Sequence, residues 1–453
     1  MTSGCSLPPQ TRPVPSRAAW ALACLAAACL GWSPPLSAAP APPAGAASAA
    51  QAVEPVNASI NAPAYALPDL VRLTLEGSAS LAAERARVQA AEAAVVTSRA
   101  LPNPELEVSQ GRLGARVPGV NTGPMTGVTI TQPLELPSLR SSRAAAATAS
   151  LDSSRSAAGA YTLDLLALMK LRYYEVLHRD AEWRSAKEDL ALANQIRDRV
   201  KLRVEQGEAP RYELIRADTE RLNALRRQQS AQLRIEQARG ELRRLVGGQL
   251  PEVFTVSGSL AEAVPPPQPL EKLRENLLAA HPQLVAARAE VRAAEARVEL
   301  ERSRRLPGVA VRGSSEREPD TRANRLGLLL TLPLWDRRAG PIGEAQAEVM
   351  RSRALLTDRE LQLTQALTIA ARQYEIAAGQ VSAFESGIVR EAEAALKVAE
   401  SAYRYGERGI LDFLDAQRSL RQARNELNAA RYDLRAALVE LERLSASEPA
   451  SQP

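Results

Sequence analysis

The chain has 453 residues, of which 45% are hydrophobic and only 4% aromatic, and its formal net charge is +5. Long stretches of Ala, Glu, Arg, Leu and Gln are typical of extended helices rather than of compact cores. Acidic residues alternate with basic ones along these stretches, whereas nucleic-acid binders concentrate basic residues on one face. The sequence therefore predicts no nucleic-acid partner.

An export signal peptide is predicted over residues 1–39. Arg12 and Arg17 precede an apolar run at 18–31, which is followed by small residues that suit a signal peptidase. The run is too short for a permanent membrane anchor. The three cysteines all lie in this leader, so the mature chain has no disulfide or thiolate chemistry. One of them, Cys29, is a candidate lipidation site in an imperfect lipobox.

Two similar units follow the leader. Residues 40–66 predict a disordered Ala/Pro-rich tether, and a Pro-rich linker at 251–270 separates a first repeat, 67–250, from a second, 271–446. The matching segments are VQAAEAAV with VRAAEARV, GVTITQPL with GLLLTLPL, and VEQGEAPRYELIRAD with YRYGERGILDFLDAQ, at offsets of 199 to 203 residues. A unit of this length exceeds any solenoid repeat. Residues 447–453 predict a disordered tail.

Each repeat predicts the same order of elements: helix, strands, very long helix, helix. The predicted boundaries are 67–100, 104–135, 137–206 and 211–246 in the first repeat, and 271–305, 308–334, 340–405 and 410–445 in the second. The long helix of the second repeat carries a heptad register that predicts a coiled coil on the order of 100 Å long. Its two apolar lines are Val349, Leu356, Leu363, Ala370, Ala377 and Phe384, and Leu367, Tyr374, Val381, Ile388, Ala395 and Ala402.

The strand segments have the length of membrane β-strands, roughly ten residues. Val128 and Ile130 alternate with threonines, and Leu328 and Leu330 are their counterparts in the second repeat. Two ordinary hairpins packed on helices are the alternative interpretation. Because four strands cannot close into a barrel and an open edge is not tolerated in lipid, membrane strands require several chains to pool their sheets. A homotrimer supplies twelve strands.

The duplicated layout, the sequences QPL and LPL at the hairpin ends, and the turn YRYGERGILDFLDAQ resemble the TolC family of outer-membrane export ducts. The resemblance covers about 67–444. It implies a mainly α fold with membrane β: a trimeric twelve-stranded barrel in the outer membrane of a Gram-negative bacterium, continued by an α-helical periplasmic tunnel. The turn QGEAPRYELIRAD and the phrase QPLELPSLRSSR are more similar to CzcC-like members, which serve RND-type pumps that expel heavy-metal cations.

The same resemblance implies a periplasmic gate at Asp412 and Asp415. Like charges three residues apart on a helix repel one another, which favours a use beyond helix stability. Three copies would place six carboxylates around one constriction, which would select for cations. The alternative is that Asp412 only interacts favourably with the helix N-terminus. Glu213 and Asp218 of the first repeat do not reproduce the spacing.

The resemblance also implies that the two turns dock a periplasmic adaptor, with an inner-membrane RND-type pump behind it. Plain helix termination by Gly and Pro explains the same residues equally well. The predicted docking positions are Gly207, Pro210, Arg211, Gly406, Arg408 and Gly409. Outer-membrane lipid is the remaining expected partner.

No enzyme, cofactor or metal site is predicted. His178 and His281 are the only histidines and have no companion ligands at metal-binding spacing, and His281, directly before Pro282, is expected to cap a helix. No phosphate-binding loop or nucleophile motif occurs. The predicted function is passive conduction of substrate, with metal cations favoured. The alternatives are a duct for drugs or type I protein secretion, and a structural periplasmic coiled-coil or adaptor protein.

Overall fold

The computed structural model describes residues 63–114, 119, 121–263 and 266–445. The predicted leader, most of the tether and the predicted tail lie outside these residues. The helices are α1 (Leu67–Gly77), α2 (Ala79–Arg99), α3 (Pro137–Glu205), α4 (Arg211–Leu245), α5 (Leu270–Ala280), α6 (Pro282–Ser303), α7 (Ala339–Ala383), α8 (Val389–Arg404) and α9 (Ile410–Ser445). The strands are β1 (Ala64–Tyr65), β2 (Glu105–Leu113), β3 (Gly123–Leu134), β4 (Thr255–Val256), β5 (Gly308–Arg317) and β6 (Arg322–Thr331).

The first helix of each repeat, predicted as one run, is broken in two. Ser78 separates α1 from α2 and His281 separates α5 from α6, both with extended backbone. Pro282 disfavours the helical conformation at His281. The predicted cap is confirmed, because His281 Nδ1 accepts a hydrogen bond from the backbone N–H of Gln283 at 3.3 Å. The prediction of uninterrupted helices over 67–100 and 271–305 was therefore wrong.

The predicted heptad register of the second long helix holds only as far as residue 384. A π-helical turn, Phe384–Ile388, lies between α7 and α8. Because such a turn adds one residue to the helical repeat, the buried seam moves on by one position. Leu396 and Tyr403 pack in the core in place of the predicted Ala395 and Ala402. Before the turn, four of the predicted seam residues are buried: Leu363, Leu367, Ala370 and Ala377.

The hairpins of the two repeats form one four-stranded antiparallel sheet. Its order is β2-β3-β5-β6, so β3 of the first repeat pairs with β5 of the second. Strands β3 and β6 begin at Gly123 and Arg322, a few residues before the matched segments GVTITQPL and GLLLTLPL. Eight of the nine residues of β2 are exposed, which is incompatible with hairpins packed against helices.

Residues of the predicted tether and linker complete the core of the first repeat. Strands β1 and β4 pair in parallel. Phe254 is fully buried, and its ring meets that of Tyr65 edge-on with centroids 6.3 Å apart. Tyr173 Oη of α3 donates a hydrogen bond to the carbonyl oxygen of Ser257 at 2.5 Å. The few aromatic residues of these Pro-rich segments thus fix them to the core, because aromatic side chains bury large apolar areas.

Candidate functional site

The two faces of the four-stranded sheet differ in polarity. Residues paired across antiparallel strands share a face, so the register assigns each side chain to one of the two faces. The apolar face carries Leu106, Val108, Val128, Ile130, Leu134, Val309, Val311, Leu326, Leu328 and Leu330. The other face is mostly polar and carries Glu105, Glu107, Ser109, Thr129, Thr131, Arg312, Ser314, Glu316 and Arg325, with Met125 and Leu329 as its exposed large apolar residues. The apolar face also includes Gln132, and toward the hairpin turns it becomes polar, at Gln110, Arg112, Ser315, Arg317 and Asn324.

The four residues predicted to face a membrane all lie on the apolar face and all are exposed. Their exposed fractions are 43% for Val128, 52% for Ile130, 70% for Leu328 and 58% for Leu330. On the polar face, Arg325 Nη1 donates to Glu316 Oε2 at 2.6 Å. One apolar and one polar face on strands of about ten residues is the pattern of a membrane barrel with a hydrated interior.

Both edges of the sheet are unpaired within the described part of the chain. Strands β2 and β6 each have one neighbour in the sheet order. Backbone N–H and C=O groups on an open edge have no hydrogen-bond partners in lipid, which costs several kcal/mol for each group. The apolar face can enter a bilayer only when strands from other copies cover these edges.

The turns between α3 and α4 and between α8 and α9 have the same conformation. Gly207 and Gly406 have φ of 78° and 76°, in the left-handed region that favours glycine. In each turn the N–H of the next residue bonds back to the last helical turn, from Glu208 to Arg203 and from Glu407 to Ala402, both at 2.9 Å. This arrangement is the Schellman motif. The predicted adaptor-docking residues therefore stand at two equivalent helix tips.

The structure brings these two tips together. Tyr403 Oη donates to Glu213 Oε2 at 3.3 Å, and the guanidinium of Arg203 lies 5.0 Å from the Tyr403 ring centroid. Beneath them a shared core joins the repeats, formed by Ile196, Val200, Ala217, Ile410 and Phe413. Sequence reasoning missed this contact because it pairs residues of different repeats about 190 positions apart. The Gly turns were the only signal that placed both segments at one end.

Asp412 and Asp415 lie in the first two turns of α9, away from its core-facing side. Ile410 and Phe413 of the same turns are buried, whereas the two aspartate side chains are 53% and 76% exposed. Asp412 pairs with Arg408 and Asp415 with Arg418, each at 3.4 Å. Exposed pairs of this kind contribute little to stability. Both carboxylates are therefore accessible from solvent in the single chain.

A partly buried charge cluster farther along the helices was not predicted. Arg421 of α9 lies 3.3 Å from Glu220 of α4 and 4.0 Å from Asp189 of α3, and Arg227 lies 2.8 Å from Glu220. Burial raises the pKa of the Asp189 carboxyl, and the Arg421 guanidinium opposes that rise. The cluster links the two repeats. It escaped prediction because Arg and Glu alternate along all of these helices.

The histidines have structural partners. His178 Nδ1 lies 3.0 Å from Asn428 Nδ2, and burial, with a smaller contribution from Arg179, lowers the pKa of its imidazole. His281 Nε2 lies 3.2 Å from the carbonyl oxygen of Arg443. Among the described residues, no three His, Cys, Asp or Glu side chains are grouped so as to hold a metal ion. In this part of the chain no helix has both the length and the apolarity needed to cross a membrane.

Comparison with known proteins gives a consistent result. The chain is 28% identical to the cobalt-zinc-cadmium resistance protein CzcC of Cupriavidus metallidurans over 368 residues, which cover 78% of this chain and 85% of that protein. It is 25% identical to the nickel-cobalt-cadmium resistance protein NccC of Alcaligenes xylosoxydans xylosoxydans, over 69% of this chain and 70% of that one.

Solved structures share the fold. The outer-membrane channel OprN superposes with a TM-score of 0.72 at 19% identity, over 84% of this chain and 90% of that one. The predicted architecture, long helices joined to a membrane sheet in two tandem repeats, is therefore confirmed. Residues 70–248 and 273–447 match the family described as outer membrane efflux protein, and the chain belongs to that family.

Proposed function

We propose that three copies of this chain form the outer-membrane channel of a tripartite efflux system and that its substrates are heavy-metal cations. The observation that carries this proposal is the sheet with one exposed apolar face and two open edges, attached to long paired helices. Three four-stranded sheets give twelve strands, an even number within the range of bacterial barrels. A structural coiled-coil or adaptor protein has no use for the exposed apolar face.

The metal preference rests on the relatives. CzcC and NccC are named as metal-resistance proteins, and CzcC aligns with most of this chain. Conduction is passive in this proposal, because energy and substrate choice come from an inner-membrane pump reached through an adaptor. The helix tips at Gly207, Pro210, Arg211, Gly406, Arg408 and Gly409 are the proposed adaptor-docking residues. No catalytic step is assigned to the chain.

Deletion of the gene is expected to lower tolerance to cobalt, zinc, cadmium or nickel severalfold, because pumped cations would have no exit through the outer membrane. Growth over a metal series, with the wild-type gene restored from a plasmid as control, measures the effect. The proposal of metal export is contradicted if metal tolerance is unchanged while sensitivity to drugs or detergents rises.

Neutralising the proposed gate is expected to change the channel and not the fold. In Asp412→Asn/Asp415→Asn, six carboxylates disappear from the trimer, so resting conductance in a planar bilayer rises and the ratio of cation to anion permeability falls severalfold. Glu205→Gln/Glu208→Gln is the matched control, because it removes two exposed carboxylates per chain at the first-repeat tip. Equal conductance and selectivity in all three proteins would leave the aspartates as helix-start residues.

A further inference from the structure

An exposed apolar patch lies where the second hairpin joins its helices. Trp335 is 94% exposed, and Leu332 and Leu334 are also exposed. Gly308 pairs with Thr331, so the residues before β5 and after β6 leave the sheet at the same end. A tryptophan left almost fully open to solvent is unusual, since its large ring normally finds a partner.

Two unpaired cations accompany this patch. Arg305 and Arg337 are exposed and form no ion pair with any described residue, whereas their neighbours Arg304 and Arg338 both bind Glu301, each at 2.6 Å. The Arg338 bond ties the segment 332–338, which carries Trp335 and Arg337, to the end of α6, which Arg305 follows within two residues. The patch is therefore both apolar and positively charged.

The first repeat has a different structure at the equivalent position. At the offset of 200 residues that aligns the two hairpin ends, Glu135 stands where the second repeat has Trp335. The Glu135 side chain is only 5% exposed. It forms an ion pair with Arg143, in which Oε1 of Glu135 lies 2.6 Å from Nη1 of Arg143. At this junction the first repeat therefore has a buried carboxylate with an ion-pair partner in the same repeat, whereas the second repeat has an exposed tryptophan.

The patch continues the apolar face at the end from which the helices emerge, so in an inserted barrel it lies at the boundary of lipid and water. Indole rings favour that boundary, and guanidinium groups bind phosphate. We propose that Trp335, Arg305 and Arg337 form an anchor for an anionic phospholipid headgroup on the periplasmic side, one for each subunit. This proposal rests on the trimeric barrel of the proposed function.

The position of Trp335 can be measured directly. Trp20 and Trp32 lie in the predicted leader, so Trp183→Phe leaves Trp335 as the only tryptophan of the mature chain. Trp183 Nε1 has no hydrogen-bond partner among the described residues, so this change removes no hydrogen bond. In vesicles, lipids brominated near the carbonyl end of the chain are expected to quench Trp335 more strongly than lipids brominated near the chain end. Absence of quenching by both lipids overturns the anchor.

The charge preference is tested on the same protein. In vesicles that mix phosphatidylglycerol and phosphatidylcholine, with bromine on one lipid at a time, quenching should show about a tenfold preference for phosphatidylglycerol next to Trp335. Arg305→Gln/Arg337→Gln should abolish that preference, and Arg372→Gln/Arg390→Gln, on helices α7 and α8, should leave it unchanged. Equal quenching by both lipids without the Arg changes would overturn the assignment of charge.

Failure of the anchor is distinguishable from failure of the channel. The mass of the assembled protein and its conductance are measured on the same vesicle samples. A conducting trimer whose Trp335 is not quenched contradicts only the anchor, and a protein that neither assembles nor conducts contradicts the channel itself.

Discussion

Val128→Arg/Ile130→Arg is expected to remove the protein from the outer membrane. Both side chains lie on the apolar face of β3, and an arginine near the bilayer midplane costs about 2–4 kcal/mol. Three copies carry the change, so six arginines would have to enter lipid. Cell fractionation followed by electrophoresis of unheated samples should show loss of the trimer from the outer-membrane fraction.

A single substitution between these two residues is the control. Thr129→Arg adds the same side chain to the polar face, where Thr129 pairs with Glu107 on β2 and Ser314 on β5. We expect this variant to assemble as the wild type does, and Leu328→Arg/Leu330→Arg on β6 to fail as the first variant does. Normal assembly of Val128→Arg/Ile130→Arg would show that the apolar face does not meet lipid.

Gly247→Ala is expected to destabilise the first repeat strongly. Gly247 follows α4 with φ of 83°, and an added Cβ would overlap the carbonyl oxygen of Gly77 at the end of α1. Left-handed strain and overpacking together cost about 2–6 kcal/mol. The thermal midpoint of the detergent-solubilised protein should fall accordingly.

The neighbouring glycine separates the two causes. Gly248 has φ of 76°, but an added Cβ would meet nothing within 4 Å. Gly248→Ala therefore carries only the conformational cost, about 1–2 kcal/mol. If both variants melt at the same temperature, the close approach of α1 to the end of α4 does not contribute to the loss of stability in Gly247→Ala.

Much of the fold could be predicted because the sequence contains two copies of the same structural unit. Three matched segments at offsets of 199 to 203 residues fixed the order of the elements, and turn glycines marked both helix tips. The alternation around Val128 and Ile130 indicated which side chains face outward. These features depend only on residues close together in sequence, so they can be recognised without knowing how distant segments pack.

The remaining features depend on contacts that no local pattern carries. The pairing of β3 with β5 joins strands about 180 residues apart, and nothing in either strand specifies that order. The π-helical turn at Phe384–Ile388 contains a glycine, Gly387, but a single glycine does not specify an inserted residue, so a continuous heptad was the natural prediction. The contact between Tyr403 and Glu213 likewise depends on how the repeats pack.

The proposed gate depends on contacts between chains, which lie even further beyond what a sequence pattern can show. Asp412 and Asp415 are exposed in one chain, and their proposed action requires three copies around an axis. The spacing of the two residues suggested the role, and only an assembly can test it. The open edges of β2 and β6 likewise find their partners only in an assembly of several chains.

Three chains are proposed to pool their sheets into one barrel, and the number of subunits in the detergent-purified protein tests this most directly. Native mass spectrometry should find three copies, stable only when detergent covers the apolar face, and the same sample should conduct ions in a planar bilayer. A water-soluble monomer or dimer without conductance would contradict the account.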